Sequence, residues 1–180
     1  MNIILTGMRG TGKTSIGKAL AEKLDMEFVD TDEAIEKQEN KSISELVSEY
    51  SWEYFRNLEK AMAKKVGESD NFVISTGGGI ILDDENIKAL KKNGIFVLLT
   101  GKIEVLVDRI QKSLNRPKLT KDTNPLNEMQ NVWEDRKDLY MQNADITFDT
   151  SIESEDKDDD LGNKAEDIIK LLREANLLTT

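Results

Sequence analysis

Apolar residues along this chain fall into two rhythms. Short unbroken runs, Ile3 to Leu5, Phe28 with Val29, "FVIS", "IFVLLT" and "ITF", have the length and branched composition of strands buried in a sheet. Between them the apolar positions recur three and four apart: Ile16, Leu20 and Leu24, then Phe55, Leu58, Met62 and Val66, then segments around Ile103 to Leu114 and Met129 to Tyr140. Ile168, Ile169 and Leu172 mark a last helix, and helical sequence also follows Val29. Strands alternating with helices predict an α/β domain with a mainly parallel sheet. No internal repeat interrupts the plan.

Two segments depart from it. "NRPKLTKDTNPLN" holds both prolines of the chain and little periodicity, so a mobile lid is expected at about residues 109–127. "ESEDKDDD" is too self-repulsive to pack and predicts a solvated acidic insertion at about 153–160, ahead of the last helix.

A length of 180 residues suits a single domain, and a formal charge of −10 argues against a partner bound through nucleic-acid or lipid phosphates. With no cysteine and no histidine, the chain has no disulfide, no thiolate metal site and no imidazole base. Catalysis must then use Asp, Glu, Lys, Arg or the backbone. No apolar run approaches the ~20 residues that span a bilayer, and the N-terminus lacks the plan of a signal peptide. A soluble, cytoplasmic monomer is expected.

"GMRGTGKT", Gly7 to Thr14, fits Gly-x-x-x-x-Gly-Lys-Thr and lies between a strand and a helix, as a phosphate-binding P-loop must. Its glycines turn backbone N–H groups toward phosphate oxygens, Lys13 reaches the β/γ-phosphates and Thr14 ligates Mg²⁺. Gly10, Thr11, Gly12, Lys13, Thr14 and Ser15 are thus candidate nucleotide ligands. There is no Asn-Lys-x-Asp to read guanine and no strand-borne Walker B Asp with an adjoining Glu, which argues against a GTPase and a mechanical ATPase.

Three further features gather at strand ends. Gly77, Gly78 and Gly79 follow "FVIST" directly; such a triplet suits a backbone conformation forbidden to side chains and the close approach of a ligand. In "FVDTDEAIE", Asp30 and Glu33 have capping-box spacing, while Asp30 and Asp32, two apart at an extended strand end, should point to one side. Parallel sheets bind ligands at these ends, so the P-loop, the Asp pair and the triplet should converge on one crevice. Arg136 falls within the apolar stripe of Met129, Val132, Trp133 and Tyr140, and an inward arginine needs an anion. Arg56 shares a helix face with Glu59. Together these arginines suit a clamp on a carboxylate.

The ordered set "GMRGTGKTSIGKALA", "FVDTDEAIE", "FRNLE", "STGGGIIL", "NRPKL" and "RKDLY" resembles the shikimate kinase family, a branch of the nucleoside monophosphate kinase-like P-loop group, over about Met1 to Thr150. The resemblance implies a three-layer α/β/α fold with a central parallel sheet of about five strands and a mobile lid. It implies ATP-dependent phosphorylation of the shikimate 3-hydroxyl, with ATP and shikimate as partners and Mg²⁺ as cofactor. Position by position, Asp32 would bind ring hydroxyls and accept the proton, and Asp30 would hold Mg²⁺ through water beside Thr14. Arg56 and Arg136 would grip the carboxylate, Glu59 would orient Arg56, and Gly78 and Gly79 would line the ring. Arg116 would fold over the phosphates and Arg109 would stack on adenine. The chain departs from the family pattern at Lys118, which separates Pro117 from Leu119, and at Val47, where an aromatic often stands. Other readings on the same fold are a kinase of another hydroxylated acid such as gluconate, a nucleoside monophosphate kinase, or a silent nucleotide-binding relative.

Overall fold

The computed structural model describes residues 1–112, 124–152 and 160–178. Its core is a sheet of five parallel strands, β1 (Asn2–Thr6), β2 (Glu27–Asp30), β3 (Phe72–Ser75), β4 (Gly94–Thr100) and β5 (Ile146–Asp149), in the order β2-β3-β1-β4-β5. The strands alternate their side chains between two apolar layers. Ile3, Leu5, Val73, Val97 and Leu99 face one layer, and Ile4, Ile74, Phe96 and Leu98 face the other.

The first layer is closed by α1 (Lys13–Leu24) and α8 (Asp160–Glu174), through Ile16, Leu20 and Ala21 of one and Ala165, Ile168, Ile169 and Leu172 of the other. The second is closed by α2 (Thr31–Glu39), α3 (Ile43–Glu49), α4 (Trp52–Gly67), α5 (Asp84–Lys91), α6 (Ile103–Lys112) and α7 (Pro125–Asn143). This is the expected three-layer arrangement. No helix among the described residues is long and apolar enough to cross a membrane.

Local chemistry sets the helix starts. Ser42 and Glu45 form a reciprocal capping box on α3, Asp83 caps α5, and Asn124 caps α7 ahead of Pro125 at the first turn. Helices α6 and α7 reach into the segment expected as a lid: Arg109 lies within α6 and Pro125 starts α7, so both ends of that segment are helical. Residues 113–123 lie outside the described residues, and with them Arg116, Pro117, Lys118 and Leu119. The acidic stretch 153–159 also lies outside them, whereas Asp160, expected in a solvated loop, opens α8 and pairs with the buried ammonium of Lys164 at 2.6 Å.

Candidate active site

The carboxyl ends of β1, β2 and β3 lie side by side, Leu5 level with Ser75 and Asp30 level with Ser75, so the loops that follow share one edge of the sheet. After β1 the chain turns through Gly7, Gly10 and Gly12, all at positive φ between 84° and 134°, and enters α1 at Lys13. Only glycine reaches these values without strain, and at Gly7 space is also short because a Cβ would collide with the Leu99 carbonyl. The Thr11 hydroxyl donates to the Met8 carbonyl at 2.8 Å and stiffens the loop. Lys13 Nζ donates to the carbonyls of Gly7 and Met8 at 2.9 and 2.8 Å, which curls its ammonium over the loop. Ser15, in the first turn of α1, is exposed.

Asp30 ends β2, and its two oxygens divide the work. Oδ1 accepts from the backbone N–H groups of Asp32 and Glu33 at 3.0 and 3.3 Å, capping α2, while Oδ2 accepts from the hydroxyls of Thr14 and Ser75 at 2.7 and 2.8 Å. The cap and the link to the P-loop are therefore one carboxylate. The expectation that Asp30 and Asp32 point to one side fails, because Asp32 is already the second residue of α2 and no longer follows strand alternation. Asp30 turns to Thr14, and Asp32 turns toward Gly77.

Beyond the P-loop lies a cavity of about 750 Å³, lined by Met8 and Arg9, by Asp32, by Arg56 and Glu59, by Gly77 to Gly79, and by Arg136 and Tyr140 of α7. Ser42, Ile43, Ser44 and Trp52 make the outer wall, and Val47 packs into the apolar layer behind it. Arg56 donates to Glu59 Oε2 at 2.6 Å and lies 5.4 Å from the Trp52 ring centre, so its charge is held between a carboxylate and a π face. Arg136 and the Tyr140 hydroxyl both donate to the Gly78 carbonyl, at 3.2 and 2.6 Å. Burial pushes the Tyr140 phenol up to about 12, keeping it a donor. Burial also raises the Glu59 carboxyl above its ordinary value, a larger effect than the opposing pull of Arg56, and the nearby Asp32 adds to the rise.

The glycine triplet corrects a second expectation. None of Gly77, Gly78 and Gly79 has a positive φ in the left-handed range, and Gly79 sits at −98°. Lack of room explains two of them instead. A Cβ on Gly77 would stand 2.5 Å from Asp32 Oδ1 and 3.1 Å from Glu59 Oε1, and one on Gly79 would stand 2.6 Å from the Arg56 guanidinium carbon. The glycines are thus the space into which the functional side chains fold. Gly78 is different: its nearest atoms would be the Gly7 carbonyl and Tyr140 hydroxyl at 3.4 and 3.5 Å, an ordinary fit.

At the opposite end of the P-loop, Arg109 donates to Gly10 O at 3.4 Å and to both the hydroxyl and the carbonyl of Thr150, at 3.1 and 2.9 Å. It joins the P-loop to the turn after β5, where Ser151 holds the Asp149 carboxyl below its usual range. Residues missed in the sequence include Ser75, Trp52, Tyr140 as a hydrogen-bond donor, and Arg9, whose guanidinium pairs with Glu128 at 3.2 Å. The i,i+4 spacing of Trp52 and Arg56 was a readable signal; Arg9 and Glu128 carried none.

A phosphate-binding loop that opens on a separate pocket, lined by arginines and an aspartate, is the plan of a P-loop kinase for a small molecule. Comparison with known proteins narrows the class. The family model described as Shikimate kinase matches residues 9–173. A shikimate kinase from Caldanaerobacter subterraneus is 42% identical over 150 residues, covering 83% of this chain and 86% of that protein, and one from Thermoanaerobacter pseudethanolicus is 39% identical over 94% of each. Among solved structures, a shikimate kinase from Acinetobacter baumannii in complex with shikimate superposes with a TM-score of 0.87 at 31% identity, covering 98% of this chain and 95% of that one. The chain belongs to the shikimate kinase family.

Proposed function

We propose that the protein transfers the γ-phosphoryl group of ATP to the 3-hydroxyl of shikimate, giving shikimate 3-phosphate and ADP. The observation that carries this reading is the lining of the cavity next to the P-loop, which brings Arg56 and Arg136 together with the carboxylate of Asp32. A small acid with ring hydroxyls matches both kinds of group. Two of the three cavity arginines are paired with carboxylates, Arg56 with Glu59 and Arg9 with Glu128, while Arg136 donates to the neutral Gly78 carbonyl, so the charge left over suits one carboxylate better than the dianionic phosphate of a nucleoside monophosphate.

In this reading Arg56 and Arg136 grip the carboxylate, Glu59 holds Arg56 in aim, and Gly78 and Gly79 leave the ring within reach of the main chain. Asp32 accepts the 3-hydroxyl proton as the new O–P bond forms and the bond from the γ-phosphorus to the β-bridging oxygen breaks. Lys13 and Arg116 neutralise charge on the phosphates, the N–H groups from Gly10 to Ser15 cradle them, and Arg109 lies at the nucleoside end. An ordinary carboxylate suffices as proton acceptor, because phosphoryl transfer relies on positioning and charge neutralisation.

The residues present fit Mg²⁺. The Thr14 hydroxyl and the Asp30 carboxylate form a hard, all-oxygen pair, and the described residues contain no cluster of three or more acidic, histidine or cysteine side chains able to cage an ion alone. That suits a metal bound through one hydroxyl, waters and substrate phosphates. Thr14 would ligate it directly and Asp30 through water. When bound, Mg²⁺ neutralises charge on the β- and γ-phosphates. The same reading takes the protein to act as a cytoplasmic monomer.

Coupled ADP release with ATP and Mg²⁺ tests it, comparing shikimate with gluconate, quinate and AMP. Shikimate-dependent turnover far above the other acceptors is expected, and its absence overturns the proposal.

A further inference from the structure

The P-loop carries an arginine that phosphate binding does not require. Arg9 stands between Gly7 and Gly10, lines the substrate cavity, and sends its guanidinium to Glu128 at 3.2 Å; the two side chains are 13% and 4% exposed. Glu128 lies in the first turn of α7, held there by its own N–H to the Asn124 carbonyl at 3.0 Å. Eight residues further along the same helix is Arg136, and four beyond that Tyr140, both donating to the Gly78 carbonyl. Gly78 in turn lies against the P-loop, so close that a Cβ there would meet Gly7 O at 3.4 Å and Arg9 N at 3.8 Å.

Helix α7 therefore touches the phosphate-binding end of the molecule at two points, about 12 Å apart at 1.5 Å rise per residue. One is the Gly78 carbonyl, a neutral acceptor; the other is a buried ion pair. An ion pair of this kind adds little net stability over apolar packing, since desolvation offsets its attraction, and its better attested use is to fix one register. Here the register it fixes is that of the helix that presents Arg136.

We propose that Arg9 is a positioning residue for the substrate half of the site: through Glu128 it docks the first turn of α7 on the P-loop and so sets the height of Arg136 over Gly78. This rests on the proposed shikimate phosphorylation. It adds that the P-loop, besides holding ATP, aligns the carboxylate clamp of the acceptor.

The test is a steady-state comparison of wild type with Arg9→Met, Arg9→Lys, Glu128→Gln and the Arg9→Met/Glu128→Gln double variant, each with a thermal melt. Loss of the tether should raise KM for shikimate about tenfold in Arg9→Met and Glu128→Gln, the equivalent of one weakened charge-assisted contact at Arg136, with KM for ATP held within about twofold. The double variant removes both charges of the pair together, its melt reports whether the fold is kept, and it should still show the raised shikimate KM. Arg9→Lys keeps the cation and should return near wild type. A double variant with wild-type shikimate KM overturns the inference, as does an equal rise in the KM values of both substrates. Wild type that turns over no shikimate refutes the underlying reading and this inference with it; wild type that turns over normally beside insensitive variants refutes this inference alone.

Discussion

Substituting alanine in turn at Gly77, Gly78 and Gly79 separates the roles assigned to the cavity, because each Cβ meets a different neighbour. At Gly79 the new carbon would stand 2.6 Å from the Arg56 guanidinium carbon, with both terminal nitrogens closer still. Carbon atoms prefer ~3.5–4.0 Å, so the guanidinium must retreat by about 1 Å or more, enough to break the alignment of its 2.6 Å bond to Glu59. The arginine can leave, since its side chain is 31% exposed, and the backbone at φ −98° accepts alanine. Stability should fall by about 1–3 kcal/mol, because the buried Glu59 carboxyl loses its donor and the stiffer unfolded chain returns only about 0.4–1 kcal/mol. Binding should fall too. A hydrogen bond to a charged group contributes about 1.5–3 kcal/mol, so the shikimate KM should rise about 10- to 150-fold while the ATP KM stays put.

Gly77→Ala strikes Asp32 Oδ1 at 2.5 Å instead, and the loss should appear mainly in kcat, about 10²-fold or more if Asp32 is the proton acceptor. Gly78→Ala meets nothing closer than 3.4 Å, so the free protein should melt as wild type, and only a ring seated against the main chain would register the methyl group. The assay is coupled ADP release over a grid of both substrates, with melts alongside. A Gly79→Ala variant with wild-type shikimate KM, or with an equal rise in ATP KM, refutes the assignment of Arg56 to the acceptor.

Asp32→Asn should lower kcat about 10²–10⁴-fold while ATP binding, followed by calorimetry, is retained; near wild-type turnover would remove Asp32 from the chemistry. Glu59→Gln tests the raised carboxyl: the folded state binds that proton more tightly than the unfolded chain, so this group's contribution is present at low pH and is lost as pH rises through the folded value. The melting temperature of the glutamine variant relative to wild type should therefore climb from pH 5 to pH 8, even as its shikimate KM worsens; a flat difference contradicts the burial argument. Tyr140→Phe removes one of two donors to the Gly78 carbonyl and should cost about 1 kcal/mol in a denaturant titration, with Arg136 still satisfying the acceptor.

How much of this was legible in the sequence depended on how local the constraint was. The P-loop could be read because phosphate binding by backbone N–H groups demands glycines at fixed spacing, and all three stand at positive φ. The sheet could be read because strands buried on both faces leave unbroken apolar runs, as at Ile95 to Leu99. The Asp30 and Asp32 pair was visible as a pair, but its geometry was not, since it depends on where β2 stops and α2 begins, and one residue decides which way a side chain points. The glycine triplet was visible for the wrong reason: a side chain arriving from α4, a distant segment, fills the space beside Gly79. Arg9 with Glu128 was invisible, because opposite charges far apart in sequence pair only once the fold brings the first turn of α7 to the loop after β1.

The most direct test of the central claim is the identity of the product. Purified protein incubated with ATP, Mg²⁺ and shikimate should yield, by ³¹P and ¹H nuclear magnetic resonance, one phosphate monoester on the 3-hydroxyl for each ADP formed. ADP accompanied by free phosphate, or a shikimate spectrum unchanged while gluconate is phosphorylated, would contradict it.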